Sequence, residues 1–96
     1  MASTKEYRDF ILEQLRNINV TDRYMMSEYI LYYNGVIFGG IYDDRLLVKK
    51  TETNKKYNME EVIPYPNAKP MYYVTDVDNE DTLIQIVLDT YEGLIW

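Results

Sequence analysis

Glu28-Tyr29-Ile30-Leu31-Tyr32-Tyr33-Asn34-Gly35-Val36-Ile37-Phe38-Gly39-Gly40-Ile41-Tyr42-Asp43-Asp44-Arg45-Leu46-Leu47-Val48 is the stretch that decides the fold. β-Branched and aromatic residues dominate it, and such residues fit a pleated, half-buried surface. Asn34-Gly35 is the preferred pair for a type I′ hairpin, because both residues tolerate positive φ, and Asp43-Asp44 is a second turn signal. Taken from Arg23 to Lys50, the pattern predicts a three-stranded antiparallel meander. With two-residue loops at both turns, Tyr33 opposes Val36 and Tyr42 opposes Arg45, and alternation then assigns each side chain to a face. One face collects Ile30, Tyr32, Ile37, Ile41, Leu46 and Val48. The other collects Tyr29, Leu31, Tyr33, Val36, Phe38, Tyr42 and Leu47. Both faces are apolar, whereas a sheet wetted on one side alternates apolar with polar, so each face requires a cover. The expectation is that helices cover Ile30, Ile37, Ile41, Leu46 and Val48, and that Tyr29, Leu31, Tyr33, Phe38 and Tyr42 form the candidate protein interface. Gly39-Gly40 reads as a site of close approach or a local bulge.

Outward from the meander, helices are expected at both ends. Ser3 and Glu6 have the spacing of a capping box, and Tyr7, Phe10, Ile11, Gln14, Leu15 and Ile18 recur at helical intervals. That helix should stop near Asn17 to Asn19. On the other side, Thr51 to Glu61 is polar, with a hint of a short helix in Tyr57, Met59 and Val62. Pro64, Pro66 and Pro70 impose an extended connector, and Met71 to Thr75 is a fourth strand with proline at its start rather than its centre. Asp78 or Asn79 caps a last helix carrying Leu83, Ile84, Val87, Leu88 and Tyr91 on one side. The fold class is therefore α+β in two layers: an antiparallel meander plus a further strand, flanked by terminal helices. All 96 residues form one domain.

Composition narrows the chemistry. The chain has no cysteine and no histidine, which removes disulfides, thiolate nucleophiles, cysteine zinc sites and the commonest general base. Its net charge of −6 argues against direct nucleic-acid binding, which rests on Lys and Arg releasing counterions from phosphate. No apolar signal core follows Met1 and no run approaches a membrane span, so a cytoplasmic protein is expected.

The motifs that could carry catalysis or metal binding read as structural. Asp76-Val77-Asp78-Asn79-Glu80-Asp81 starts like a calcium loop, but Asp81 stands where the glycine turn is needed and Val87 where the bidentate glutamate belongs. Ser3 and Ser27 lack a partner base. Asp43, Asp44 and Lys49 are the residues that a small carboxylate- or lysine-dependent enzyme would use, and Arg45, Lys49, Lys50, Lys55 and Lys56 are those of a weak nucleic-acid-binding module. No catalytic, cofactor or metal residues are assigned. The favoured function is protein binding, because tyrosine supplies rigid contact area with a polar tip.

Three segments together carry a family resemblance: Met25-Met26-Ser27-Glu28-Tyr29, Asp43-Asp44-Arg45-Leu46 and Pro64-Tyr65-Pro66-Asn67-Ala68-Lys69-Pro70-Met71. With them the chain resembles the amino-terminal domain of the TfoX/Sxy competence regulators, from the first helix to about Leu94. Ser27 and Asn67 stand where that family has glycine; asparagine tolerates the left-handed turn, and Ser27 implies a more ordinary backbone. The resemblance implies a two-layer domain that forms a homodimer and assists a DNA-bound transcription activator. It also implies a second, carboxy-terminal helical domain in full-length members, with no counterpart in this sequence. It supplies no catalytic residues, and fold alone does not carry function across.

Overall fold

The computed structural model describes residues 2–96. Helix α1 (Lys5–Gln14) leads into strands β1 (Val20–Met25), β2 (Glu28–Tyr33), β3 (Val36–Ile41) and β4 (Leu46–Val48). A 3-10 turn (Lys55–Tyr57) then precedes β5 (Glu60–Val62), β6 (Met71–Val74) and helix α2 (Glu80–Ile95). The six strands form one sheet in the order β1-β2-β3-β4-β6-β5, with every neighbouring pair antiparallel. The fold is α+β, as expected, but the meander has four strands rather than three. Val20 to Asp22 lacks apolar alternation, so only the pairing of Val20 with Tyr33 through Met25 with Glu28 reveals β1.

Three two-residue turns link the meander, and in each both central residues have positive φ: Met26 and Ser27 (53° and 68°), Asn34 and Gly35 (49° and 78°), and Asp43 and Asp44 (56° and 54°). This matches the right-handed twist of the strands that each turn joins. Ser27 is therefore left-handed, contrary to the expectation of an ordinary backbone. Asn67 is left-handed too, at 72°, and keeps the connector turn. The caps also resolve. Thr4, not Ser3, caps α1 and accepts from the Tyr7 amide, while Asn79 caps α2 and accepts from the Thr82 amide at 3.1 Å.

A bulge in β3 overturns the expected division of faces. Tyr33 pairs with Val36 and Tyr32 with Ile37, but Leu31 then pairs with Gly39 and Tyr29 with Ile41, leaving Phe38 as the extra residue. One inserted residue reverses every assignment beyond it. Ile41 moves onto the Tyr29 face and takes Leu46 and Val48 with it through the β3–β4 register. The buried core is Tyr29, Leu31, Phe38, Ile41, Leu46, Val48 and Val74, packed against Ile11 and Leu15 of α1 and Leu83, Ile86 and Val87 of α2. Tyr33 packs against this core and meets Tyr91 edge to face at 4.8 Å. Tyr29, Leu31, Tyr33 and Phe38 are thus the helix-covered side and not an interface. Of the residues expected under the helices, Ile41, Leu46 and Val48 are there; Ile30 and Ile37 lie on the other face.

The two glycines beside Phe38 make the bulge sterically feasible. A Cβ on Gly39 would collide with the Leu47 carbonyl, and one on Gly40 with the Tyr29 carbonyl and the Tyr42 ring. Close backbone approach is the role the sequence suggested for this pair.

Candidate protein-interaction face

The side of the sheet away from the helices gathers Met25, Ile30, Tyr32, Ile37, Tyr42 and Leu47. Its cover is the proline connector between β5 and β6, the element that supplies the second layer the two-faced apolar pattern demands. Tyr65 of the connector meets Tyr42 at 6.1 Å and 71°, edge to face. Leu47 is fully buried although its register directs it away from the helices. The connector spans only part of this face, because three prolines hold it extended and deny it donors for further pairing.

Two adjoining clefts result. One, of about 610 Å³, is lined by Ile37, Tyr42, Lys49, Lys50, Lys69, Met71 and both Pro64 and Pro70. The other, of about 640 Å³, is lined by Met25, Met26, Glu28, Ile30, Tyr42 and the connector residues Tyr65 to Ala68. Tyr42, Tyr65 and Ala68 border both, so the two run together as a groove. Met26 is 91% exposed and Tyr65 55%, a display of large apolar side chains at one groove. Tyr42 is the one member of the predicted interface on this side. Burial raises its hydroxyl pKa above the ordinary tyrosine value, with smaller contributions from Tyr65 and Glu28, so it presents a neutral donor.

Two polar clusters hold the frame around this groove. At one end, Glu28 gathers the chain start and the Asp43-Asp44 turn. Its Oε1 accepts from the Ser3 amide at 3.0 Å and the Ser3 hydroxyl at 2.6 Å, and its carboxylate accepts from the Asp43 amide. Asp44 accepts in turn from the Thr4 amide at 2.7 Å. At the other end, the loop after β4 is strapped to α2. Buried Asn54 donates to the Lys49 carbonyl and the Thr90 hydroxyl, both at 2.8 Å, and accepts from the Thr51 amide. Asp89 accepts from Tyr57 at 2.6 Å and from Gln85 at 3.1 Å, and pairs with Lys56 at 3.2 Å. Asn54 and Asp89 escaped the sequence reading because the bonds that tie the loop to α2, Asn54 to Thr90 and Tyr57 to Asp89, join residues 36 and 32 positions apart. An acid in the middle of α2, next to the apolar stripe, was the available signal.

The residues considered for catalysis do not converge. Asp43 and Asp44 form the tip of a turn, and Asp44 is committed to Thr4. Lys49 lines a cleft whose other ionisable side chains are Lys50, Lys69, Tyr42 and Tyr65. The residues considered for nucleic-acid binding are likewise divided. Lys50, Lys55 and Lys56 pair with Glu61, Glu52 and Asp89, while Arg45 lies at the Asp43-Asp44 turn and donates to the Tyr42 carbonyl. Glu80, from the calcium-like segment, pairs with Arg16 at 3.3 Å, and Asn79 caps α2. No helix is long and apolar enough to cross a membrane among the described residues.

Over 91 residues the chain is 32% identical to the uncharacterized 12.7 kDa protein in the trpE 5′ region of Spirochaeta aurantia, a match that covers 92% of this chain and 79% of that protein. The two belong to one family. The matched length takes in the whole sheet and its connector. No protein-family model matches the chain, and no solved structure matches it.

Proposed function

We propose that this protein is a non-enzymatic protein-interaction domain, a cytoplasmic regulator of the TfoX/Sxy kind, and that it engages its partner through the groove between the outer sheet face and the proline connector. The observation that carries this reading is the placement of Ile37, Tyr42, Tyr65, Met25 and Met26 around one open groove, after the protein's own helices have taken the opposite face. Large, partly exposed apolar side chains with a few polar tips are what a protein partner desolvates. The groove rests on a fixed sheet, so little ordering cost opposes binding. The regulatory part of the reading rests on the Met-Met-Ser-Glu-Tyr, Asp-Asp-Arg-Leu and Pro-Tyr-Pro-Asn-Ala-Lys-Pro-Met segments, of which the first and third border the groove.

The deciding experiment is affinity capture from the native cell, with identification of the retained protein and reconstitution of the purified pair. Ile37→Glu and Tyr65→Ala are expected to abolish retention, and Tyr24→Ala, on the helix-covered face, to preserve it. Retention indifferent to Ile37 and Tyr65 would remove the groove from the function.

A further inference from the structure

The distribution of charge says what kind of partner suits this groove. Of ten lysines and arginines, six stand in ion pairs: Lys5, Arg8, Arg16, Lys50, Lys55 and Lys56. Among the described residues the four without one are Arg23, Arg45, Lys49 and Lys69, and all four fall on the outer side of the sheet. Arg23 shares a face with Ile30 through the β1–β2 register. Arg45 pairs with Tyr42 across the turn, one residue before inward-facing Leu46. Lys49 and Lys69 line the groove itself. Among the described residues, the cations outside ion pairs therefore stand on the outer side of the sheet in a chain of net charge −6, and Glu28, the carboxylate lining the groove, is taken up by Ser3 and the Asp43 amide.

Building on the interaction reading above, we infer that the occupant of the groove is an acidic peptide segment, with Asp and Glu interleaved among bulky apolar side chains. Apolar side chains of such a segment fill the clefts walled by Ile37, Met71 and Pro70 on one side and by Met25, Ile30 and Tyr65 on the other. Its carboxylates meet Lys49 and Lys69 within the groove and Arg23 and Arg45 at its rim, and charge-assisted hydrogen bonds there are stronger than neutral ones. A second copy fits worse, because a two-fold pairing of this face sets the same four cations against one another. A nucleic-acid strand also fits worse. Tyr42 and Tyr65 lie edge to face, at 71°, instead of offering the parallel platforms on which successive bases stack.

Fluorescence anisotropy tests this with a labelled peptide alternating Asp or Glu with Leu or Phe. It is compared with counterparts carrying Gln or Lys in place of the acids and with a single-stranded oligonucleotide, at low and high salt, alongside sedimentation of the protein alone. The acidic peptide is expected to bind best and to weaken as salt rises. The double variant Lys49→Glu/Lys69→Glu should weaken it by about tenfold or more, a loss of about 1.4 kcal/mol, while Lys55→Glu, outside the groove, leaves it unchanged. Equal binding of the Gln peptide, insensitive to charge reversal, would overturn the acidic occupant and leave the interaction reading standing. Tighter binding of the oligonucleotide, or self-association abolished by Ile37→Glu, would overturn it in favour of a nucleic acid or a second copy. No binding by any of these probes also overturns it, and capture with the Ile37 and Tyr65 variants then judges the broader reading separately.

Discussion

Tyr57 donates its hydroxyl to the Asp89 carboxylate at 2.6 Å, tying the loop after β4 to the middle of α2. The pair makes the stability of the domain depend on pH at both extremes. Burial alone would raise the Asp89 pKa, but hydrogen bonds from Tyr57, Lys56 and Gln85 outweigh it and hold the carboxyl below its ordinary range. Burial pushes the Tyr57 hydroxyl up to about 12, and the hydrogen bond to Asp89 and its charge act in the same direction.

The acid arm follows from Asp89. A depressed folded pKa contributes stability that is complete above the unfolded carboxylate value and is lost as pH falls through the folded one. Asp89→Asn should flatten the acid limb of a stability profile measured by urea unfolding, at a cost of about 1–3 kcal/mol near neutrality. The alkaline arm follows from Tyr57. Its contribution is complete below the ordinary tyrosine value of 10.0 and is lost as pH rises through about 12. Tyrosinate absorbance should show a late-titrating group that disappears in Tyr57→Phe.

The turn between β1 and β2 holds two residues, Met26 and Ser27, in the left-handed region without glycine or asparagine. Each such residue costs about 1–2 kcal/mol where no local compensation exists. Met26→Asn with Ser27→Gly should therefore raise stability by about 1 kcal/mol, a shift in Tm of about 4–8 °C, in thermal unfolding followed by circular dichroism.

Phe38 and its neighbour Ile37 discriminate between the two possible divisions of the sheet. Phe38 is fully buried under the helices, and Ile37 is 38% exposed on the outer face. Phe38→Ala is expected to cost about 3–5 kcal/mol, and Ile37→Ala far less. Comparable losses from the two, measured by denaturant unfolding, would contradict the bulged register.

Gly93 reverses the usual preference for alanine within a helix. Gly→Ala ordinarily gains about 1 kcal/mol at an exposed helical site. Here the added Cβ would run into the side chains of Thr51 and Thr53, the same loop that Asn54 and Tyr57 strap to α2. Gly93→Ala should lower Tm, and the double variant with Thr51→Gly should recover part of the loss.

Local chemistry alone determined the helices, the Asn34-Gly35 and Asp43-Asp44 turns, β6 and the α+β class, because periodicity, caps and turn residues act over a few positions. The same is true of the need for two covers, which follows from a sheet apolar on both sides. Tertiary structure decided the rest. The polar strand β1 is visible only through its pairing with β2, and β5 only through its pairing with β6. Above all, the bulge at Phe38 chose the faces: a strand alternates with period two, so one extra residue brings Ile41, Leu46 and Val48 onto the Tyr29 and Leu31 side, under the helices, and sets Tyr42 beside Ile30 in the groove. Gly39-Gly40 announced that a bulge was possible. Whether it formed depended on which register let two helices and a proline connector each bury an apolar face, and that is a property of the whole packed chain.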